Sequence, residues 1–135
     1  MTKRLNIALL PGDGIGPEVM AVAEQALTLL IDRFQLPLSC HSFPWPSHAW
    51  HQQHGQMMPD DGVDQLRAFD AILLGALGDP GPLDDPDRFV LPDSISLSPL
   101  LALRKQLDLW ACERPARWQP GAPQYLSDPR ANDVD

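Results

Sequence analysis

The sequence predicts an α/β fold in which a parallel or mixed sheet is flanked by helices. Residues 5–10 and 71–74 form short, almost wholly apolar runs, which are typical of strands buried on both faces of a sheet. Between them, residues 17–32 carry apolar side chains at helical spacing. Strands that alternate with helices indicate crossover connections, and crossovers favour parallel pairing.

The first strand leads into a glycine-rich turn and then into a helix. The turn has the sequence PGDGIG at residues 11–16, and its glycines allow backbone conformations that other residues rarely adopt. Pro17 suits the first position of a helix, and Glu18 lies near the positive end of the helix dipole. The side chains predicted to face the core are Val19, Val22, Ala23, Ala26, Leu27 and Leu30.

The segment after this helix predicts a second strand and a short helix. A strand at residues 36–43 contains Pro37, which restricts it to a sheet edge or to a later start. Residues 44–55 are rich in histidine and tryptophan and show no clean period, so we expect irregular structure there. Residues 57–62 indicate the entry into a short helix that ends near Phe69.

The last part of the chain predicts a long loop, a helix and a final strand. The loop between residues 78 and 92 is rich in proline, aspartate and glycine, and a connection of this length is usually functional or mobile. Ser98 is the predicted N-cap of a helix that continues to Gln106. Residues 108–113 predict a further strand, and residues 115–135, with four prolines, predict a loop.

The glycine turn does not match the standard phosphate-binding motifs. A G-x-G-x-x-G fingerprint would need its third glycine at position 17, which is Pro17. Residues 38–45 contain no acidic side chain for a ribose, and no Gly-Lys-Ser/Thr sequence follows the turn. The fold is therefore not predicted to be a Rossmann fold, and a tight strand-to-helix turn remains an alternative to a ligand site.

Composition excludes several classes of protein. The chain has 135 residues, which allows one ordinary domain, and 44% of them are hydrophobic, enough for a core. Ten basic and 18 acidic residues give a net charge of −8, which argues against nucleic-acid and membrane partners. Only two cysteines occur, so a secreted scaffold held by disulfides is not expected. No apolar run approaches the ~20 residues of a membrane span. We expect a soluble cytoplasmic protein.

Four motifs in order resemble the isocitrate/isopropylmalate dehydrogenase family. They are IALLPGDGIGPEV at 7–19, HGQMMPDDG at 54–62, LGALGDP at 74–80, and LLALRK at 100–105 with RPAR at 114–117. The second motif resembles the tartrate/D-malate dehydrogenase branch. The motifs span nearly the whole chain, which makes the resemblance far more specific than any one of them.

The resemblance implies an activity and its cofactors. Members of this family oxidise and decarboxylate malate-like 2-hydroxy acids such as 3-isopropylmalate, tartrate or D-malate. NAD or NADP takes the hydride, and Mg²⁺ or Mn²⁺ polarises the substrate oxygen and stabilises the enolate left by loss of CO₂. The family fold is a large α/β fold that binds its cofactor without a Rossmann unit.

The resemblance also implies substrate-binding residues. Arg104 and Arg114 match the two arginines that bind substrate carboxylates, and a guanidinium forms bidentate, charge-assisted bonds to a carboxylate. Leu100 matches the residue that contacts the substrate side chain. The alternatives are a surface salt bridge for each arginine, with Glu113 as a partner of Arg114, and a buried helix position for Leu100.

For the cofactor, the resemblance implies contacts from the glycine turn and from the loop before the last helix. The implied cofactor-binding residues are Ile15, Gly78, Asp79 and Leu97. The alternative for each is turn geometry or a solvated loop.

Other chemistry-bearing residues are weaker candidates. His48, His51 and His54 recur at three-residue steps but lack a nearby fourth ligand, so we predict no metal site in this chain. Cys112 has no supporting base in the sequence, and we expect it to be buried and inert.

The family's catalytic tyrosine, lysine and metal-binding aspartates have no match in this chain. Its lysines are Lys3 and Lys105, and its one tyrosine, Tyr125, lies in a proline-rich segment. We therefore expect residues 1–135 to be the N-terminal portion of an isopropylmalate-dehydrogenase-like domain whose catalytic half is absent, inactive alone and homo-oligomeric when complete. Alternatives are a complementing chain, a regulatory subunit that docks on a catalytic partner, or a truncated product with no evolved role.

Overall fold

The computed structural model describes residues 3–78, 90–115 and 121, and within them the chain alternates between strands and helices. No helix in this part of the chain has the length and apolar character that a bilayer crossing requires. The elements are β1 (Leu5–Gly12), α1 (Gly16–Phe34), β2 (Leu38–Ser42), α2 (His48–His54), α3 (Gly62–Leu66), β3 (Ala71–Ala76), α4 (Asp93–Ser96) and α5 (Ser98–Gln106).

Strand β1 is the centre of a parallel sheet with the order β2-β1-β3 over the described residues. Ile7 pairs with Cys40 of β2 and with Ala71 of β3. Both neighbours are parallel, so the predicted α/β class with a parallel sheet is confirmed. The prediction for Pro37 is also confirmed, because β2 begins at Leu38 and lies at a sheet edge in this part of the chain.

The main core lies on one face of the sheet. Ala8 and Leu10 of β1 are fully buried there and pack with Leu66 of α3 and Leu103 of α5. Alternate strand residues point to the same face, which explains why Ala8 and Leu10 share this core. Burial of a leucine side chain contributes about 1.5–3 kcal/mol, so β1, α3 and α5 are held together largely by these contacts.

Helix α1 packs across β1 and β3 on a face that differs from the predicted one. Val19 and Val22 are 53% and 64% exposed, so their predicted burial is wrong. Leu30 is also exposed, whereas Ala23 and Leu27 of the predicted set are half-buried. The fully buried side chain is Met20, and Leu27 and Ile31 follow it at helical spacing. The helix carries apolar residues on two faces, and periodicity alone cannot choose between them.

The segment predicted to be irregular contains helix α2. Ser47 is its N-cap, and its hydroxyl accepts a hydrogen bond from the Trp50 N–H. Gly55 ends the helix in a left-handed conformation. A cap at each end therefore stabilises a helix too short to show a clean hydrophobic period.

Two predictions near α5 are wrong. Leu97, not Ser98, is the N-cap, and the Ser98 hydroxyl donates to the carbonyl of Ile95 in the short helix α4. Residues 108–113 form no strand, because the chain turns back at Asp108, which has a φ of 55°. The Leu109 N–H donates to the carbonyl of Arg104 at 2.9 Å, so the backbone closes onto the helix end instead of extending.

Candidate functional site

The glycine turn packs tightly against the end of β3. Gly12 has a φ of 79°, and the N–H of Asp13 donates to the carbonyl of Ala76 at 2.7 Å. A Cβ on Gly16 would collide with the carbonyl of Pro11 and lie 2.8 Å from the Ala76 nitrogen. The glycines are therefore needed for close approach of turn, helix and strand, whatever the turn binds.

A buried carboxylate–imidazole pair joins this turn to helix α2. The Asp13 Oδ1 accepts from the His48 backbone N–H at 2.7 Å, and its Oδ2 lies 2.9 Å from the His48 Nδ1. The two side chains are 4% and 3% exposed. The backbone N–H of Leu91 points at the His48 Nε2 at 3.4 Å. One pair of side chains thus contacts three segments of the chain.

The predicted cofactor residues lie in two regions of the described structure. Ile15 is the N-cap of α1 and is 67% exposed, although it is a large apolar residue. Gly78 is half-buried and follows β3, and Leu97 is an exposed residue between α4 and α5. Asp79 lies outside the described residues. Since β1 and β3 are parallel, the segments bearing Ile15 and Gly78 leave the same edge of the sheet.

The predicted substrate residues Leu100 and Arg104 line one cleft of about 340 Å³. Its apolar wall includes Leu74 of β3, and Trp110 lies at its side with 87% exposure. Arg114 is exposed in the coil that follows and is not part of the lining. The structure therefore brings two of the three predicted residues together.

Neither predicted arginine is held in an ion pair within the described ranges. The pairs found there join Lys3 with Asp70, His48 with Asp13, and Arg67 with Asp64. The surface salt bridge that was the alternative for Arg104 and Arg114 is thus not seen among these residues. Their guanidinium groups are exposed and can form charge-assisted bonds with an anion.

Two histidines of α2 contact other side chains, and Cys112 is not buried as predicted. No group of three His, Cys, Asp or Glu side chains in the described segments could hold a metal ion. His48 contacts Asp13, and the His54 ring stacks on Trp50 with ring centroids 3.9 Å apart. Cys112 is exposed, so its predicted burial is wrong. The coil that carries it, residues 109–112, lines the Arg104 cleft.

The shifted pKa values lie away from this edge of the sheet. Hydrogen bonds from the Lys3 ammonium and the Asn6 N–H lower the pKa of Asp70, which directly precedes β3. Partial burial, with a smaller effect from Glu24, raises the pKa of the Cys40 thiol on β2. These shifts belong to contacts at the start of β3 and on β2, not to the cleft.

Sequence reasoning missed the roles of Asp13 and His48. Asp13 was part of a motif, and His48 was weighed only as a metal ligand. The two residues are 35 positions apart, and no spacing rule connects a turn residue with the first residue of a distant short helix. A usable signal was Ser47, an N-cap residue type directly before His48.

Comparison with known proteins identifies relatives that decarboxylate hydroxy acids. The chain is 39% identical over 136 residues to the D-malate dehydrogenase [decarboxylating] of Escherichia coli, covering 100% of this chain and 36% of that protein. It is 40% identical over 131 residues to the tartrate dehydrogenase/decarboxylase of Pseudomonas putida, covering 96% of this chain and 34% of that protein. The chain thus spans about a third of the length of these curated relatives.

A solved structure and a family profile agree with these relatives. The apo crystal structure of the beta-decarboxylating dehydrogenase from Thermococcus kodakarensis aligns with a TM-score of 0.51 and 28% identity. The alignment covers 78% of this chain and 27% of that one. The profile of isocitrate/isopropylmalate dehydrogenases matches residues 6–135. With its glycine turn, parallel sheet and arginine-bearing helix in the matched region, this chain belongs to the isocitrate/isopropylmalate dehydrogenase family.

Proposed function

We propose that this chain supplies substrate- and cofactor-contacting residues to an NAD- or NADP-dependent, metal-assisted dehydrogenase. Its substrates are malate-like 2-hydroxy acids such as 3-isopropylmalate, tartrate or D-malate, which it oxidises and decarboxylates. Family membership and two relatives named as decarboxylating enzymes support the reaction class. The observation that carries the proposal is that Leu100 and Arg104 line one open cleft.

The cleft suits an acid that has a carboxylate next to a small apolar or hydroxylated substituent. Leu100 and Arg104 are four residues apart on α5, so they lie on one face of that helix. The exposed guanidinium of Arg104 binds the carboxylate, while the half-buried Leu100 contacts the substituent. Arg114 binds a second carboxylate from the exposed coil.

The cofactor is proposed to lie along the edge where β1 and β3 end, with Ile15, Gly78, Asp79 and Leu97 in contact with it. Support for this position comes from the exposed Ile15 and from the parallel pairing of β1 and β3, which brings the segments bearing Ile15 and Gly78 to one edge. A separate open cleft of about 290 Å³ lies between the glycine turn and residues 43–49, and the described residues that line it do not include Ile15, Gly78 or Leu97. Covering an exposed isoleucine such as Ile15 with a ligand is favourable by up to about 1.5–3 kcal/mol. When bound, NAD or NADP would supply a hydride acceptor for C2 of the acid, next to the residues named above.

The divalent ion does not fit the described part of this chain, where no group of three suitable ligands exists. Mg²⁺ or Mn²⁺ is therefore proposed only for the complete enzyme, and no step of the reaction is assigned here to residues around it. Since the family's catalytic lysine and tyrosine also have no match in the sequence, we expect the 135 residues alone to give no turnover.

Two assays of the purified chain test this proposal. With D-malate, tartrate or 3-isopropylmalate, NAD or NADP and Mg²⁺ or Mn²⁺, we expect no reduced cofactor to form. In a titration with the same acids followed by NMR, we expect the amide signals of α5 around Leu100 and Arg104 to shift. Turnover by the chain alone contradicts its proposed incompleteness, and a titration without shifts contradicts the substrate assignment.

A complementing chain that assembles with a catalytic partner is the second candidate. Exposed apolar residues on one face of α1, among them Val19, Val22 and Leu29, favour association. Size-exclusion chromatography tests this candidate: a monomer that does not associate with a full-length relative contradicts it, whereas a mixed complex supports it.

A further inference from the structure

The proposed function assigns no role to the buried pair of Asp13 and His48. We propose that Asp13 is a positioning residue: it holds His48 in the Nδ1–H tautomer, so that the Nε2 accepts from Leu91 and ties the glycine turn to the segment that leads to Leu97. The inference rests on the proposed function, because Ile15 and Leu97 are the cofactor residues on either side of this link.

Hydrogen-bond chemistry determines the tautomer. An ionised carboxylate only accepts, so the His48 Nδ1, 2.9 Å from Asp13 Oδ2, must carry the proton of that bond. A backbone N–H only donates, so the Nε2 facing the Leu91 nitrogen at 3.4 Å must be an acceptor. The neutral Nδ1–H imidazole satisfies both contacts, whereas the Nε2–H form and the imidazolium each place a donor against a donor.

Burial makes this choice of tautomer costly to reverse. The side chains of Asp13 and His48 are 4% and 3% exposed, so water does not readily replace a lost partner. The other Asp13 oxygen, Oδ1, accepts from the His48 backbone N–H at 2.7 Å. This bond fixes the orientation of the carboxylate that contacts the ring. Leaving a buried polar group without its partner is unfavourable, so the Nδ1–H tautomer is strongly preferred.

The link spans the two regions of the proposed cofactor site. Asp13 lies between Gly12 and Gly14 in the turn, two residues before the exposed Ile15. Leu91 is buried two residues before α4, and α4 ends at Ser96, directly before Leu97. The imidazole therefore sets the distance between the segments that carry Ile15 and Leu97. A side chain that only filled space would not depend on where its ring proton lies.

Asp13→Asn separates positioning from space filling. The asparagine oxygen still accepts the His48 backbone N–H, but its amide nitrogen now donates to Nδ1 and forces the proton onto Nε2. The Leu91 contact is then lost while the shape of the pair is kept. His48→Asn tests the other end, because its short amide reaches Asp13 but not Leu91. Asp32→Asn, an exposed acid on α1, is the matched control.

Nitrogen-15 NMR of the uniformly labelled 135-residue chain is the experiment. We expect the Nδ1–H signature for His48 in the unsubstituted protein and in D32N, and the Nε2–H signature in D13N. We also expect Leu91 amide hydrogen exchange to be at least about tenfold faster in D13N and H48N, the change that corresponds to about 1.4 kcal/mol. An Nε2–H tautomer or an imidazolium in the unsubstituted protein overturns the proposal. This measurement does not depend on whether any variant folds.

Titration of the same labelled chain with NAD separates this proposal from the proposed function. Shifts at Ile15 and Leu97 that weaken in D13N support both. The Nδ1–H tautomer with fast Leu91 exchange in D13N, but with no response to NAD in any protein, supports the link and contradicts the cofactor assignment. Slow Leu91 exchange in a folded D13N overturns the link, whatever NAD does.

Discussion

The two sides of the proposed site, the glycine turn and the Arg104 cleft, differ in the contacts that their polar side chains make. On the turn side, Asp13 and His48 are buried and bonded to each other, and the glycine turn is locked against β3. On the cleft side, Arg104 and Arg114 are exposed, and neither pairs with an acidic side chain in the described ranges. Substitutions of the buried groups at the turn should therefore change stability, whereas substitutions of the exposed arginines at the cleft should change binding.

The largest expected difference in the free energy of unfolding is between substitutions of two residues that line the cleft, Leu103 and Trp110. Leu103 is almost fully buried in the core, and Leu103→Ala should lower the free energy of unfolding by about 2–5 kcal/mol. Trp110→Ala removes a side chain that is 87% exposed and should change it by less than about 0.5 kcal/mol. Urea unfolding measures both values. Equal losses would mean that Trp110 packs into the core and the cleft is closed.

Gly16→Ala should destabilise the protein at the glycine turn. The new Cβ would meet the carbonyl of Pro11 and the nitrogen of Ala76, and backbone atoms cannot move away cheaply. We expect a loss of about 3 kcal/mol in the free energy of unfolding. The control is Gly55→Ala, where the Cβ meets nothing within 4 Å and only the left-handed backbone disfavours alanine, by about 1 kcal/mol. A Gly16→Ala protein as stable as the control would contradict the locked turn.

Arg104→Gln should weaken binding without affecting stability. Loss of one charge-assisted contact to a carboxylate costs about 1.5–3 kcal/mol, so the Kd for tartrate or D-malate should rise by about tenfold or more. Arg33→Gln, at the exposed end of α1, removes the same charge away from the cleft and should leave the Kd unchanged. Isothermal titration calorimetry compares the two. Equal Kd values for both variants would show that Arg104 acts only through net charge.

Asp70 provides a pH test at the opposite end of the sheet. The bonds from Lys3 and Asn6 lower its folded-state pKa, so its stabilising contribution is present above the unfolded-state pKa and is lost as the pH falls through the folded-state value. Asp70→Asn should flatten the decline of the thermal midpoint below about pH 4. Lys3→Gln should reproduce part of that change. Superimposable acid profiles of all three proteins would contradict the shift.

The smallest expected effect is a difference in thiol reactivity. Cys112 is exposed beside the cleft, whereas Cys40 is half-buried and has a raised pKa because of burial and Glu24. A maleimide at neutral pH should therefore modify Cys112 several-fold faster, because the thiolate is the reactive form. Mass spectrometry of peptides follows both sites. If tartrate slows only the Cys112 reaction, the cleft position of the acid is sharpened; faster labelling of Cys40 would contradict the exposure pattern.

The elements with one clear local signal could be predicted from the sequence. β1 and β3 are short apolar runs, and Pro37 restricted β2 to a late start at an edge. The buried face of α1 could not be predicted, since Met20 and Val19 both lie on apolar stripes of that helix. The turn at Asp108 also could not, because aspartate tolerates the left-handed conformation but occurs far more often in other conformations, so the residue type alone does not locate the turn.

The site was predictable only in part for a similar reason. Leu100 and Arg104 share a helix face, so their meeting in one cleft follows from spacing alone. Asp13 and His48 meet through tertiary structure across 35 residues, and neither has a neighbour that indicates the other. The family resemblance thus names Leu100 and Arg104 and their spacing explains why they share a cleft, whereas the contact between Asp13 and His48 depends on the fold.

A chimera tests most directly the claim that this chain contributes a dehydrogenase site. These 135 residues would replace the matching third of the Escherichia coli D-malate dehydrogenase. We expect the folded chimera to oxidise D-malate with NAD or NADP, and Arg104→Gln within it to lower kcat/KM by about tenfold or more, whereas Arg33→Gln leaves it unchanged. A folded chimera without activity, or one whose kcat/KM is unaffected by Arg104→Gln, would contradict the account.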